Sequence, residues 1–184
     1  MYKAIHPSKT YRLINTGALM LVSTVSKKKE PDLTPIAWVC PQELDPARVL
    51  IVCDAAHRAF KNIRETGVFT ACIPHISQIK LVEECGSVSG GDTDKFSKFG
   101  IKAFKAGKSS CMIPQGVIGY VECRVKKIVN IEGTAVIIGD ALYAAADTKA
   151  FNGSRLMAEK PAGRAIHHLG GGDFITYSGR VIKK

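Results

Sequence analysis

The chain has 184 residues, 46% hydrophobic and 23% charged, with 26 lysines and arginines against 16 acidic residues for a net charge of +10. That length suits one well-buried core and is short for two, so a single domain over residues 1–184 is expected. No apolar run reaches the ~20 residues that span a bilayer, and the N-terminal MYKAIHPSKTYRL lacks the apolar core of an export signal. A cytoplasmic protein without membrane association is the expectation.

Residues 2–16 carry Tyr2, Tyr11 and Leu13, with His6-Pro7 expected to break any regular element. ALMLVSTVS (18–26) reads as a buried strand. The polar KKKEPD (27–32) is a hairpin tip, and TPIAWV (34–39) returns as the second strand. Pro35 marks part of that strand as an edge or a bulge, because proline cannot donate to a ladder. Residues 41–46 are expected to form a loop with an Asp45-Pro46 turn, followed by a third strand, RVLIVC (48–53).

HRAFKNIRETG (57–67) has helical spacing and a terminating glycine, Gly67. The basic His57-Arg58 pair stands at its start, where helix amides favour a phosphate. VFTACIP (68–74) is a fourth strand. Ile76, Ile79, Val82 and Cys85 lie on one helix face. GSVSGGD (86–92) is a flexible turn, with Asp92 a candidate cap for a short helix carrying Lys95, Phe96 and Phe99.

Residues 100–110 are basic and read as a surface excursion. GVIGYVECRVKKIVNI and TAVIIGDALYAAAD form a long hairpin about Glu132-Gly133. The alternation at residues 121–126 marks an antiparallel strand with one wet face. Residues 151–163 are loop or short helix, and the GGGD at 170–173 lacks the spacing of a phosphate loop and reads as a tight turn. Six or seven hairpin-linked strands with two or three inserted helices argue against a doubly wound parallel sheet. The expected class is mainly β: an antiparallel Greek-key barrel flanked by a few short α-helices.

Cys40, Cys53, Cys72, Cys85, Cys111 and Cys123 include no CxxC or CxxH pair, which disfavours zinc and iron–sulfur sites. Cys53, Cys72 and Cys123 read as small buried hydrophobes. The lysines are scattered apart from residues 27–29 and 183–184, and no RNA-binding motif occurs. A basic surface that attracts anionic cofactors is favoured over a nucleic-acid-binding β-barrel, which stays open as a third functional reading.

YRL (11–13), LMLVSTVS, TPIAWVCPQELDPARVLI, HRAFKNIRETGVFTACIP, DKFSKFGI (94–101), GYVECRVKKI (119–128) and VIIGDAL (136–142) follow one another in a fixed order. This ordered set resembles the flavin reductase-like, FMN-binding split-barrel family, in its flavoredoxin branch. The resemblance implies a split barrel that forms a homodimer with FMN near the interface. It carries Thr34, Pro35, Ile36, Ala37 and Trp38 to the isoalloxazine ring. It carries His57, Arg58 and Ala59 to the phosphate, with Asn62 on the same helix and Lys95 joining from a distant segment. Ala59 replaces the threonine of many relatives, so a hydroxyl donor to the phosphate is missing.

Read without the resemblance, Trp38 is better taken as a core tryptophan, and Arg58 and Lys95 as solvated charges. His167 and His168 are candidates for titration or ligand contact. Cys40, near the expected ring, has no basic neighbour in sequence and reads as inert. The implied function is an FMN-dependent oxidoreductase taking electrons from NAD(P)H or a protein donor to flavin, iron or a redox partner protein. The alternative is a non-enzymatic FMN electron carrier. No GxGxxG fingerprint is present, so a nicotinamide would bind only transiently.

Overall fold

A computed structural model describes residues 5–14, 17–179 and 181. Seven antiparallel strands form the main sheet: β1 (Met20–Val25), β2 (Pro31–Ile36), β3 (Val39–Leu44), β4 (Ala47–Asp54), β5 (Val68–Ile73), β8 (Gly119–Ile131) and β9 (Thr134–Ala146). Two small hairpins flank it, β6 (Ala103–Lys105) with β7 (Met112–Pro114), and β10 (His167–Gly170) with β11 (Asp173–Ile175). The helices are short: α1 (Tyr11–Ile14), α2 (Arg58–Thr66), α3 (Ile79–Ser87) and α4 (Lys95–Lys98).

The sheet order is β2-β1-β5-β8-β9-β4-β3, so the two edge strands are consecutive in sequence. Only Ala37 and Trp38 separate the end of β2 from the start of β3. A link that short reaches about 10 Å at most, so the sheet must curl until its edges approach at this point. The result is an antiparallel barrel with a seam, and the seam passes through the segment expected to meet the flavin.

Apolar packing follows from this curl. Ala59, Phe60 and Ile63 on the inner face of α2 join Val22, Ile51, Phe69, Cys123 and Ile137 in one core. The helix ends at Gly67, whose φ of 71° is the left-handed conformation that glycine adopts without strain. Leu21, Leu33, Cys72, Val82, Cys85 and Ile113 form a second core under α3. Pro31 and Pro35 sit in β2, an edge strand, where the missing amide leaves no gap in a ladder.

Five expectations need correction. Residues 41–46 are not simply a loop, because β3 pairs with β4 up to Leu44 around a cis Asp45–Pro46 turn. That strand lacks an apolar signature because it lies at an edge with exposed side chains, and a bulge between Pro41 and Glu43 accommodates the proline. The second strand ends at Ile36, leaving Ala37 and Trp38 outside it. The N-terminal segment holds a 3₁₀ turn (Pro7–Lys9) and α1 despite His6-Pro7, since proline is well suited to a first helical position. Asp94, not Asp92, caps α4 by accepting from the Ser97 amide at 3.1 Å.

The fifth correction concerns residues 100–110 and Glu122 together. The segment contains β6 and a turn that buries Ser109, and Glu122 is 1% exposed instead of facing water. Its Oε2 accepts the Lys108 and Ser109 amides, each at 2.6 Å. A bulge between Glu122 and Cys123 breaks the expected alternation. GGGD (170–173) is the tight β10–β11 turn, as expected. No helix among the described residues is long and apolar enough to cross a membrane.

Candidate functional site

Three cavities meet around His57 at the start of α2, and two of them extend along β2 toward the seam. The first, about 270 Å³, is walled by Asp32, Thr34 and Pro35 of β2, His57 and Arg58 at the start of α2, Cys85 to Gly90, and Lys95 of α4. The second, about 330 Å³, shares His57, Arg58 and Ser89 with it and adds Lys61 and Arg64. The third, about 410 Å³, shares Pro35 and His57 with the first and runs along Ile36, Ala37 and Trp38, with Tyr11, Cys53, Asp54, Thr134 and His168.

The first cavity is the basic end of this groove. Arg58 begins α2, where unpaired helix amides already favour an anion. Its Nε donates to Asn62 Oδ1 at 3.0 Å, and its Nη2 reaches Glu30 Oε2 at 2.6 Å. The guanidinium holds the Glu30 carboxyl below the ordinary carboxylate range. Asn62 is fully buried and donates to Thr24 Oγ1 at 3.0 Å, so it anchors Arg58 instead of facing the cavity.

Lys95 reaches the same cavity from α4. Its Nζ donates to the Leu33 carbonyl at 2.8 Å and lies 3.3 Å from Asp32 Oδ1, with both side chains almost completely buried. Thr34 Oγ1 donates to the other oxygen of Asp32 at 3.1 Å. Asp32 Oδ1 accepts no hydrogen bond of good geometry despite its burial. The loop closes tightly over it: a Cβ on Gly90 would stand 2.2 Å from Asp32 Oδ1, so only glycine fits there. Both expected phosphate cations therefore stand in the cavity, and each already faces a carboxylate.

The third cavity is the aromatic end. Trp38 is half exposed, and the Tyr11 ring stands edge-on to it with centroids 6.4 Å apart. The core reading of Trp38 therefore gives way to a groove wall. The Trp38 carbonyl accepts the Val52 amide at 2.9 Å, which fixes the backbone on which the indole is carried. His168 lines this cavity, with its Nε2 2.9 Å from the Gly171 carbonyl and its ring packed on Phe174. His167 is buried and packs edge-on against Tyr177.

Burial pushes the thiols of Cys53 and Cys85, both groove-lining, up to about 11. Neither is a thiolate at neutral pH, and a redox nucleophile is not built into these walls. Cys40 is exposed on β3, outside the three cavities.

Of the ten residues expected from sequence, Thr34, Pro35, His57, Arg58 and Lys95 line the first cavity, and Pro35, Ile36, Ala37, Trp38 and His57 line the third. Ala59 is fully buried and its methyl group packs in the core under α2. With Asn62 turned onto Arg58 and Thr24, these two side chains support the wall from behind. Sequence reasoning missed Asp32, Tyr11, Ser87, Ser89 and Gly90. The Ser- and Gly-rich run at 86–92 was the available signal, since small residues permit the close approach seen at Gly90.

The donor set fits the expected flavin mononucleotide. A cation-lined pocket suits a phosphate, and the adjoining groove between an indole and β2 suits a flat aromatic ring. Pro35 and His57 belong to both, so one elongated molecule can occupy both cavities.

Comparison with known proteins shows the family and the fold. The flavin reductase like domain family matches residues 11–158. The chain is 30% identical over 173 residues to the uncharacterized protein YddH of Escherichia coli K12, covering 92% of each chain. It superposes with a TM-score of 0.80 on an FMN-binding domain of a flavin reductases-like enzyme from Shewanella baltica, at 24% identity over 99% of this chain and 96% of that one. Flavoredoxin of Desulfovibrio vulgaris gives 0.81 at 18% identity, covering 91% and 90%. These solved structures share the split-barrel fold. With the matched domain extending over most of its length, the chain belongs to the flavin reductase-like family.

Proposed function

We propose that the protein binds FMN along the seam and works as an oxidoreductase, passing electrons from NAD(P)H or a protein donor to free flavin, iron or a redox partner. The observation that carries this reading is the continuity of the groove: a pocket lined by Arg58 and Lys95 adjoins, through Pro35 and His57, a cavity walled by Trp38 and Tyr11. Bound FMN would supply hydride acceptance and electron transfer, which explains why the walls need no acid–base pair of their own.

The chain's own residues hold and orient. Arg58 presents its planar fork from a fixed position, tied by Asn62 and Glu30. Lys95 acts as a point charge, with donor capacity beyond its bond to Leu33. The backbone from Pro35 to Ala37, at and just past the end of β2, would hold the ring. Trp38 and Tyr11 supply apolar faces. Nicotinamide would approach over the open side of the ring.

Trp38 keeps about half its surface exposed, at 49%. A second copy of the chain covering it would exclude water from the groove, and a homodimer is part of the proposal. Cytoplasmic residence is proposed as well, in keeping with six free cysteines.

Stopped-flow reduction of FMN-loaded protein by NADH and NADPH tests the oxidoreductase reading. Reduction faster than that of free FMN in buffer is expected from at least one donor. Equal rates with both would leave a carrier instead of a reductase. Protein that takes up no flavin and binds oligonucleotides with steep salt dependence would overturn flavin function altogether.

A further inference from the structure

Asp32 is a buried carboxylate in the wall of the pocket proposed for the flavin's phosphate, and the proposed function gives it no task. It is 3% exposed. Thr34 Oγ1 donates to one oxygen, while the other lies 3.3 Å from Lys95 Nζ without a well-formed hydrogen bond. Gly90 lies directly against it, so the side chain has no room to swing away on that side. Arg58 also faces a carboxylate, donating to the exposed Glu30 at 2.6 Å. Arg58 and Lys95 bring two positive charges to the pocket wall, Asp32 brings a negative one, and Glu30, outside the wall, brings another against Arg58. The formal charges of these four groups cancel.

We infer that Asp32 sets the phosphate affinity of the site, competing with the ligand's phosphate for Lys95 and keeping the flavin exchangeable. The inference rests on the flavin reading and concerns the phosphate end alone. Glu30 is on the surface and can move aside with its solvent shell, whereas Asp32 is fixed between Thr34, Lys95 and Gly90. A phosphate approaching Lys95 must therefore meet a fixed negative charge at short range in a poorly solvated setting, where like charges repel far more than in water. Lys95 has three donors, so it can hold Leu33 and Asp32 and still reach a ligand. The pocket thus recognises a phosphate monoester without holding it tightly. Such weak retention suits a flavin that is exchanged between turnovers.

The test compares FMN with riboflavin, which lacks the phosphate, by titration of purified full-length protein. Asp32→Asn keeps the shape and removes the charge, retaining one carbonyl acceptor in place of the two oxygens that face Thr34 and Lys95. It should tighten FMN on the order of tenfold, as the loss of one like-charge repulsion implies, and leave riboflavin nearly unchanged. Asp32→Ser, smaller and also uncharged, carries the same expectation should the first variant not fold. A purely structural role for Asp32 would weaken both flavins together and leave their ratio at the wild-type value, which overturns the inference. A ratio shifted toward riboflavin overturns it as well. If neither flavin binds wild type or variant, the flavin reading itself falls, an outcome distinct from an unchanged ratio.

Discussion

Replacing Lys95 with methionine should destabilise the fold severely, and the reason lies in what remains. Lys95 and Asp32 have side-chain exposures of 3% and 4%, with Nζ and Oδ1 3.3 Å apart. At that separation the attraction is about 5 kcal/mol for an effective dielectric of about 20. Removing the cation strands a carboxylate among Leu33, Cys85 and Gly90 with only the Thr34 hydroxyl for company. Breaking a buried pair from one side costs about 3–5 kcal/mol. For a chain of this size that lowers the thermal midpoint by about 6–20 °C. Urea unfolding of Lys95→Met, Asp32→Asn and the double variant closes a thermodynamic cycle. The double variant should recover most of the loss, because no unpaired charge is left. A Lys95→Met protein within about 1 kcal/mol of wild type, or a double variant no better than Lys95→Met, would refute the reasoning.

Arg58→Ala should weaken FMN about tenfold, as expected for a lost charge-assisted contact, and affect riboflavin little; equal loss for both flavins would place Arg58 away from the phosphate. Glu122→Ala leaves the Lys108 and Ser109 amides without their acceptor and should cost about 2–4 kcal/mol. Hydrogen exchange at those two amides should accelerate, and unchanged protection would contradict the pinning of this turn. Burial raises the thiols of Cys53 and Cys123 from 9.0 to about 11 and about 12. These shifts favour folding below about pH 9, and the benefit fades as pH rises toward the folded values, because the unfolded chain releases its thiol protons first. Urea midpoints measured from pH 8 to pH 11 should therefore fall, less steeply in Cys123→Ala, and equal slopes in the two proteins would argue against this cause.

Much of the fold was readable because its strands carry strong local signals. β1, β5 and the β8–β9 hairpin combine apolar β-formers with clear turns, and α2 ends at a glycine suited to its conformation. β3 was illegible because its side chains face water at a sheet edge, where no apolar pattern is required. Glu122 was misread for the opposite reason: a carboxylate looks solvent-facing until two backbone amides from another segment satisfy it.

The site divides in the same way. Trp38, His57, Arg58 and Lys95 were legible as residue types placed beside recognisable strand and helix boundaries. Asp32 and Glu30 were not, because a counter-charge is defined by which cation the fold brings to it. Arg58 meets a residue 28 positions away and Lys95 one 63 positions away. Tyr11 likewise joins Trp38 only through the curl of the barrel.

Trp38 is the only tryptophan in the chain and stands in the wall of the proposed ring site. Titration with FMN, following its emission, tests the central claim most directly. The account predicts saturable quenching that ends at one flavin per chain, with riboflavin quenching the same emission at higher concentration. Emission that stays constant, or falls only linearly without saturation, would contradict a flavin seated against Trp38.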